Sequence, residues 1–221
     1  MERDTAFEKR SEKLGPRVAE AFRRRHFEAY YCATAQEALE KAVELIPKDD
    51  VVSWAGSETI REIGLVDYIR KNGYKRLDQE DGKDRAEFVE ITRKATTCDT
   101  YLMSSNGASE DGQLVNIDRT GNRVAALCYG PRNVIVILGM NKVVKTAEDA
   151  LARARGIAAP VNMARFSGQV FPEGCTPCAV TGTCADCTTE QYCICSQIVT
   201  TRHCCPTGRI KVILVGEKLG F

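Results

Sequence analysis

Between Gly174 and Pro206 stand Cys175, Cys178, Cys184, Cys187, Cys193, Cys195, Cys204 and Cys205, eight of the 11 cysteines in the chain. The run reads Cys175-x2-Cys178-x5-Cys184-x2-Cys187-x5-Cys193-x-Cys195, and two CxxC pairs this close can bring four thiolates to one point. Zinc takes four such ligands at ~2.3 Å, and Cys178, Cys184, Cys187 and Cys193 could supply them from a loop turned by Pro172, Gly174, Pro177 and Gly182. An iron–sulfur cluster also accepts four cysteines, although the ferredoxin run C-x2-C-x2-C-x3-C-P is not what stands here. Thiols that merely pack as small hydrophobes are the plain alternative. A disulfide framework ranks last: the chain opens MERDTAFEKRSEK, charged and without an apolar leader, so a reducing cytoplasm is expected.

Three other segments could carry chemistry. Trp54-Ala55-Gly56-Ser57-Glu58-Thr59 is a strand end, a glycine and a helix start, which offers free N–H groups, a dipole and hydroxyls to an anion; the plain reading is that Ser57 caps a helix. Ser104 to Gly112 follows a predicted strand, placing Asn106 at the edge where open α/β sheets bind ligands. In it Glu110 could serve as nucleophile or base, or be a solvated turn carboxylate. Gly139-Met140-Asn141-Lys142 follows another strand, and Lys142 could meet a phosphate or carboxylate, or simply be exposed. Gly56, Ser57, Thr59, Asn106, Asn141 and Lys142 are expected to line one cleft.

Thirty-one basic residues against 30 acidic ones, a net charge of +1, provide no general pull toward nucleic acid or membranes, and no apolar run approaches the ~18 residues of a membrane span. The run Arg23-Arg24-Arg25-His26 suits a helix end, where cations face the negative dipole.

The 221 residues fit a single domain, 1–221, opened by a helix within 1–26 and carrying the Cys-rich segment 174–206 inside it. Leu14, Val18, Ala21 and Phe22 share one face of the first helix, which Pro16 should kink or delay. Phe27 to Ala33 reads as a strand, and Thr34 with Glu37 forms a capping box for a helix ending before Pro47. Strands are predicted at 51–54, 74–77, 100–104, 124–129, 134–138 and 210–215, with helices near 83–96 and 147–158. Asp111-Gly112 and Thr120-Gly121-Asn122 suggest inserted hairpins. The alternation predicts a mainly parallel sheet with helices on both faces and a Cys-rich loop before the last strand.

With these segments in hand, the chain resembles the LUD-domain (lactate utilisation) family. The motifs are SWAGSETIREIG (53–64), SSNGASEDGQLVNID (104–118), GNRVAA (121–126), Gly130-Pro131, GMNKVV (139–144), AAPVN (158–162), CAVTGTCADC (178–187) and RIKVILVGEKLG (209–220). Ala55 and Gly107-Ala108-Ser109 depart from the family's forms of the first two. Cys178, Cys184, Cys187 and Cys193 look like the pattern of its Cys-bearing branch. The resemblance implies a fold like glucosamine-phosphate deaminase, ribose-phosphate isomerase and CoA transferases. It also implies a part in lactate-type organic-acid oxidation beside iron–sulfur partner proteins, with a small anionic ligand at the strand edge. Two rivals stand beside it: a CoA-transferase-like or ligase-like enzyme with an acyl intermediate on Glu110, and a metal-bearing, non-enzymatic redox adaptor.

Overall fold

The computed structural model describes residues 3–221, so the first two residues of the expected opening helix lie outside the described part. In chain order the elements are α1 (Arg3–Arg24), β1 (Glu28–Cys32), α2 (Ala35–Glu44), β2 (Val51–Trp54), α3 (Glu58–Glu62), α4 (Leu65–Lys71) and β3 (Lys75–Leu77). Then come α5 (Arg85–Ala95), β4 (Thr100–Met103), β5 (Gly107–Ser109), β6 (Leu114–Asp118), α6 (Asn122–Cys128), β7 (Asn133–Gly139) and β8 (Val143–Val144). The remainder is α7 (Ala147–Arg153), α8 (Ala159–Phe166), α9 (Pro177–Thr181), β9 (Gln197–Thr201) and β10 (Ile210–Val215).

Six strands form one sheet in the order β1-β10-β7-β4-β2-β3, every pair parallel. The period of two along β7 shows why both faces are covered. Val134, Val136 and Leu138 join Val18 and Phe22 of α1 in one core, while Ile135 and Ile137 join Ala38, Ala42, Leu65 and Ile69 of α2 and α4 in the other. A strand buried on both faces must be apolar throughout, and each such side chain contributes about 1.5–3 kcal/mol through burial. At the β3 edge Lys75 and Arg76 are exposed, and their charges discourage pairing with another chain.

The helix starts follow local chemistry. Thr34 Oγ1 accepts from the Glu37 backbone N–H at 3.2 Å, but the Glu37 carboxylate turns to the Ala33 N–H at 2.8 Å, so only half of the expected box closes. Pro16 lies inside α1 rather than at its start. Arg23 and Arg24 occupy the last turn of that helix, as their charge suggested, and Arg25 Nε donates to the Asp111 carbonyl at 2.7 Å.

Two expectations are corrected. Residues 124–128 of the expected strand 124–129 are helical, not extended: the Asp118 carboxylate accepts from the backbone N–H groups of Arg123 at 3.0 Å and Val124 at 3.3 Å at the start of α6. For the same reason Thr120-Gly121-Asn122 opens a helix instead of turning a hairpin. The Asp111-Gly112 hairpin is present, joining β5 to antiparallel β6, and it belongs to a second sheet of order β8-β5-β6-β9. Strand β9 comes from within the Cys-rich segment, which is therefore not loop throughout, and β10 returns to the main sheet between β1 and β7. Helix α7 passes through a wide π turn at Ala154–Ala158 into α8, directly before Pro160, which has no N–H for the Gly156 carbonyl.

Candidate functional site

From β2 the chain runs outward to β3 and then returns to the other side of β2 as β4, so the winding reverses there. Outside the carboxyl ends of such strands the loops part and leave a crevice. Here it is a cleft of about 820 Å³, floored by Ala55 to Thr59 after β2, Ser104 to Asn106 after β4 and Lys142 after β7. Its far wall comes from α8 and the segment after it, and Phe88, Phe166, Phe171 and Phe221 give it an aromatic side.

Gly56, Ser57, Thr59, Asn106 and Lys142 all line this cleft. Ser57 caps α3, accepting from the Ile60 N–H at 3.5 Å, and Asn106 Oδ1 accepts from the Ile117 N–H at 2.8 Å. Lys142, 4% exposed, donates to Thr59 Oγ1 at 2.8 Å and to Ser104 Oγ at 3.2 Å. Burial above all, helped by the Arg153 and Arg123 charges and opposed by Glu62, lowers its pKa from 10.5 to about 7.

Asn141 and Glu110 do not line the cleft. Asn141 Oδ1 accepts from the Leu219 N–H at 3.1 Å and its Nδ2 donates to the Leu219 carbonyl at 3.4 Å, so it fastens the segment that lies over Lys142. Gly220 sits so close there that a Cβ would stand 2.5 Å from Thr59 Oγ1 and 3.0 Å from Lys142 Nζ, and its φ of +57° is one that favours glycine. Glu110 follows β5 on the second sheet, where it pairs with Lys145 at 2.8 Å and Arg10 at 3.8 Å.

Residue spacing did not point to the charges that dominate the walls. Arg61, Arg85, Arg119, Arg123, Arg165 and Lys142 face Glu58, Glu80 and Asp118, six basic side chains against three acidic ones. Arg165 pairs with Glu58 and donates to Asn162 Oδ1 at 2.9 Å, yet its Nε is buried without a hydrogen-bond partner. Arg85 and Arg119 stack on the rings of Phe88 and Phe171 at 4.8 and 4.5 Å and have no carboxylate partner among the described residues. Arg123 lies inside the GNRVAA motif, but a strand reading of that segment gave no reason to aim it inward.

The Cys-rich segment borders the cleft. A second hollow lined by Cys187, Cys193 and Cys195 shares Arg85, Arg119 and Thr120 with the first. Of the four expected ligands, Cys187 and Cys193 meet, their sulfurs 3.8 Å apart. Cys178 contacts Thr176 Oγ1 at 3.4 Å, and Cys184 lies 4.0 Å from Arg155 Nη2. Among the described residues no three His, Cys, Asp or Glu side chains stand together as a group that could hold a metal ion. What organises the segment is apolar: Ile194, Met163, Phe166 and Phe171 pack together with Cys175 and Cys178. Burial first, then the Cys193 sulfur, pushes the Cys187 thiol up to about 12; burial followed by Cys193, Cys178 and Cys184 does the same to Cys195.

The LUD domain family model matches residues 16–215. Among solved structures, a DUF162 family protein from Deinococcus radiodurans is similar at TM-score 0.53 and 15% identity, covering 92% of this chain and 97% of its own. Partial likenesses extend to D-ribose-5-phosphate isomerase in complex with phospho-erythronic acid (TM-score 0.35, 15% identity, 51% of this chain and 54% of that one). Another is eIF2B delta from Chaetomium thermophilum (TM-score 0.32, 17% identity, 52% and 49%). No curated protein matches the sequence. No helix of the described residues is long and apolar enough to cross a membrane.

Proposed function

The chain belongs to the LUD-domain family, which is associated with lactate utilisation, and from that premise we propose that its cleft binds a small 2-hydroxy or 2-oxo carboxylate during organic-acid oxidation. One observation carries the reading: six basic side chains converge at the carboxyl ends of the parallel strands, and one of them, Arg165, keeps a buried N–H unpaired. A carboxylate would satisfy that donor, and a buried donor left unmade costs about 1–3 kcal/mol. Oxidation of a hydroxy acid releases two electrons and two protons, and the reading assigns the electrons to iron–sulfur partner proteins acting beside this chain in the cytoplasm.

Calorimetric titration of the protein with lactate and with pyruvate tests it. Saturable binding that Arg165→Met weakens at least about tenfold, the ~1.4 kcal/mol of one charged hydrogen bond, is the expected result. No binding of either acid would overturn it. The acyl-transfer alternative loses ground because Glu110 stands outside the cleft, tied to Lys145 and Arg10.

The metal-bearing adaptor is a second, separate proposal, favoured by the 3.8 Å between the Cys187 and Cys193 sulfurs. That spacing matches the ~3.5–4 Å edge of a zinc–thiolate tetrahedron, but Cys178 and Cys184 would have to move in to complete it. Elemental analysis of anaerobically purified protein decides: stoichiometric zinc or iron lost in Cys184→Ser supports the adaptor, and its absence removes it.

A further inference from the structure

We propose that Lys142 is a nucleophilic amine that joins the 2-oxo carbon of a 2-oxo acid as an imine, which makes 2-oxo acids the substrate class of this cleft. The inference rests on the carboxylate reading above and adds a covalent step to it. Lys142 stands at the end of β7 with its amine on the cleft, and its hydrogen-bond partners, Thr59 and Ser104, are both neutral hydroxyls. No carboxylate ion-pairs with it among the described residues, unlike Lys41, Lys94, Lys145 and Lys211, each of which pairs with a glutamate.

A surface lysine is strongly hydrated and protonated at neutral pH, whereas a desolvated one near another cation is the form that attacks carbonyls. Both conditions hold here. The amine is buried, the Arg153 and Arg123 charges disfavour its protonation, and its pKa falls to about 7. Arg123 also lines the cleft, so a charge that adds to the effect of burial on the amine can also attract the ligand's carboxylate.

The step balances without any redox partner. The nitrogen lone pair forms a C–N bond to the 2-oxo carbon while the carbonyl π pair moves to oxygen, which takes up a proton and gives a carbinolamine. Loss of that oxygen as water, with a nitrogen proton, leaves the C=N bond; Thr59 and Ser104 are placed to relay the protons. A 2-hydroxy acid has no carbonyl at C2 and would bind without forming the imine.

Incubation with pyruvate and sodium cyanoborohydride near pH 7.5, followed by peptide mass mapping, tests the inference. At that pH a free lysine amine is about one part in a thousand unprotonated, so Lys142 should gain a carboxyethyl group at least about a hundredfold faster than free Nα-acetyl-lysine added to the same reaction. The label should saturate with pyruvate, be blocked by lactate and be absent from Lys142→Met of unchanged circular dichroism. Pyruvate that binds by calorimetry but leaves Lys142 unlabelled, or labels it no faster than free Nα-acetyl-lysine, overturns the imine and spares the carboxylate reading. If neither acid binds, both fall.

Discussion

Replacing Lys142 by Met should stabilise the protein at neutral pH, because the fold holds this amine at a cost. The pKa of Lys142 drops from 10.5 to about 7 on folding, with burial as the main cause, Arg153 and Arg123 adding to it and Glu62 opposing. A lysine whose folded pKa is depressed destabilises the fold at low pH. Between about 10 and 7 the unfolded chain holds a proton that the folded one does not, so stability rises with pH across that window by about 1.4 kcal/mol per pH unit. The full penalty, near pH 7 and below, is about 4–5 kcal/mol. Met fills a similar volume without charge, but leaves Thr59 and Ser104 each short of a hydrogen bond worth about 1 kcal/mol. Lys142→Met should therefore gain about 2–3 kcal/mol at pH 7 and roughly nothing by pH 9.5. Urea unfolding of both proteins at several pH values measures this, and the difference between them cancels the titration of the cysteines and tyrosines. A variant less stable at pH 7, or a difference that does not change with pH, would refute the claim that burial keeps the amine neutral.

Gly15→Ala should lower stability by about 1–3 kcal/mol in the same assay, since the new methyl would stand 2.1 Å from Tyr31 Cδ2 and force α1 away from β1. Glu110→Gln should change stability by no more than about 1 kcal/mol and leave carboxylate binding untouched, because its ion pairs with Lys145 and Arg10 are at the surface; a tenfold loss in titration would return Glu110 to the ligand site. Mild oxidation with diamide should link Cys187 to Cys193, the pair already in contact, before any other cysteines of the segment. Peptide mapping that finds other pairs first would show the loop arranged differently.

The main sheet was legible because its strands announce themselves: continuous apolar runs such as Val134 to Leu138 and Ile210 to Val215 have no use except burial on both faces. Loops after such strands share an edge, which is why Gly56, Ser57, Thr59, Asn106 and Lys142 could be grouped from order alone. The segment 124–129 misled because Val-Ala-Ala-Leu-Cys fits a short strand and a short helix equally, and the deciding contact, the Asp118 carboxylate on two backbone N–H groups, depends on where β6 ends. Arg165 and Arg123 escaped notice because a lone arginine carries no spacing signal; only the packing of α8 and α6 turns them inward. Cysteine spacing, in contrast, suggested more convergence than the segment has, since Phe166, Phe171 and Ile194 place its backbone by apolar contact.

The position of β10 bears on how this chain is made. It is the last described strand in sequence, yet it lies in the sheet interior, hydrogen-bonded to β7 on one side and β1 on the other. Among the described strands β10 is the only one that pairs with β1, some 180 residues earlier in the chain. During synthesis, then, α1 and β1 have no strand to join until residues 210–215 have emerged. Until then the fully buried β7 presents an open edge. Such a topology ties completion of the sheet to the emergence of β10 and leaves a sticky intermediate in the interval, the kind of species that chaperones shield.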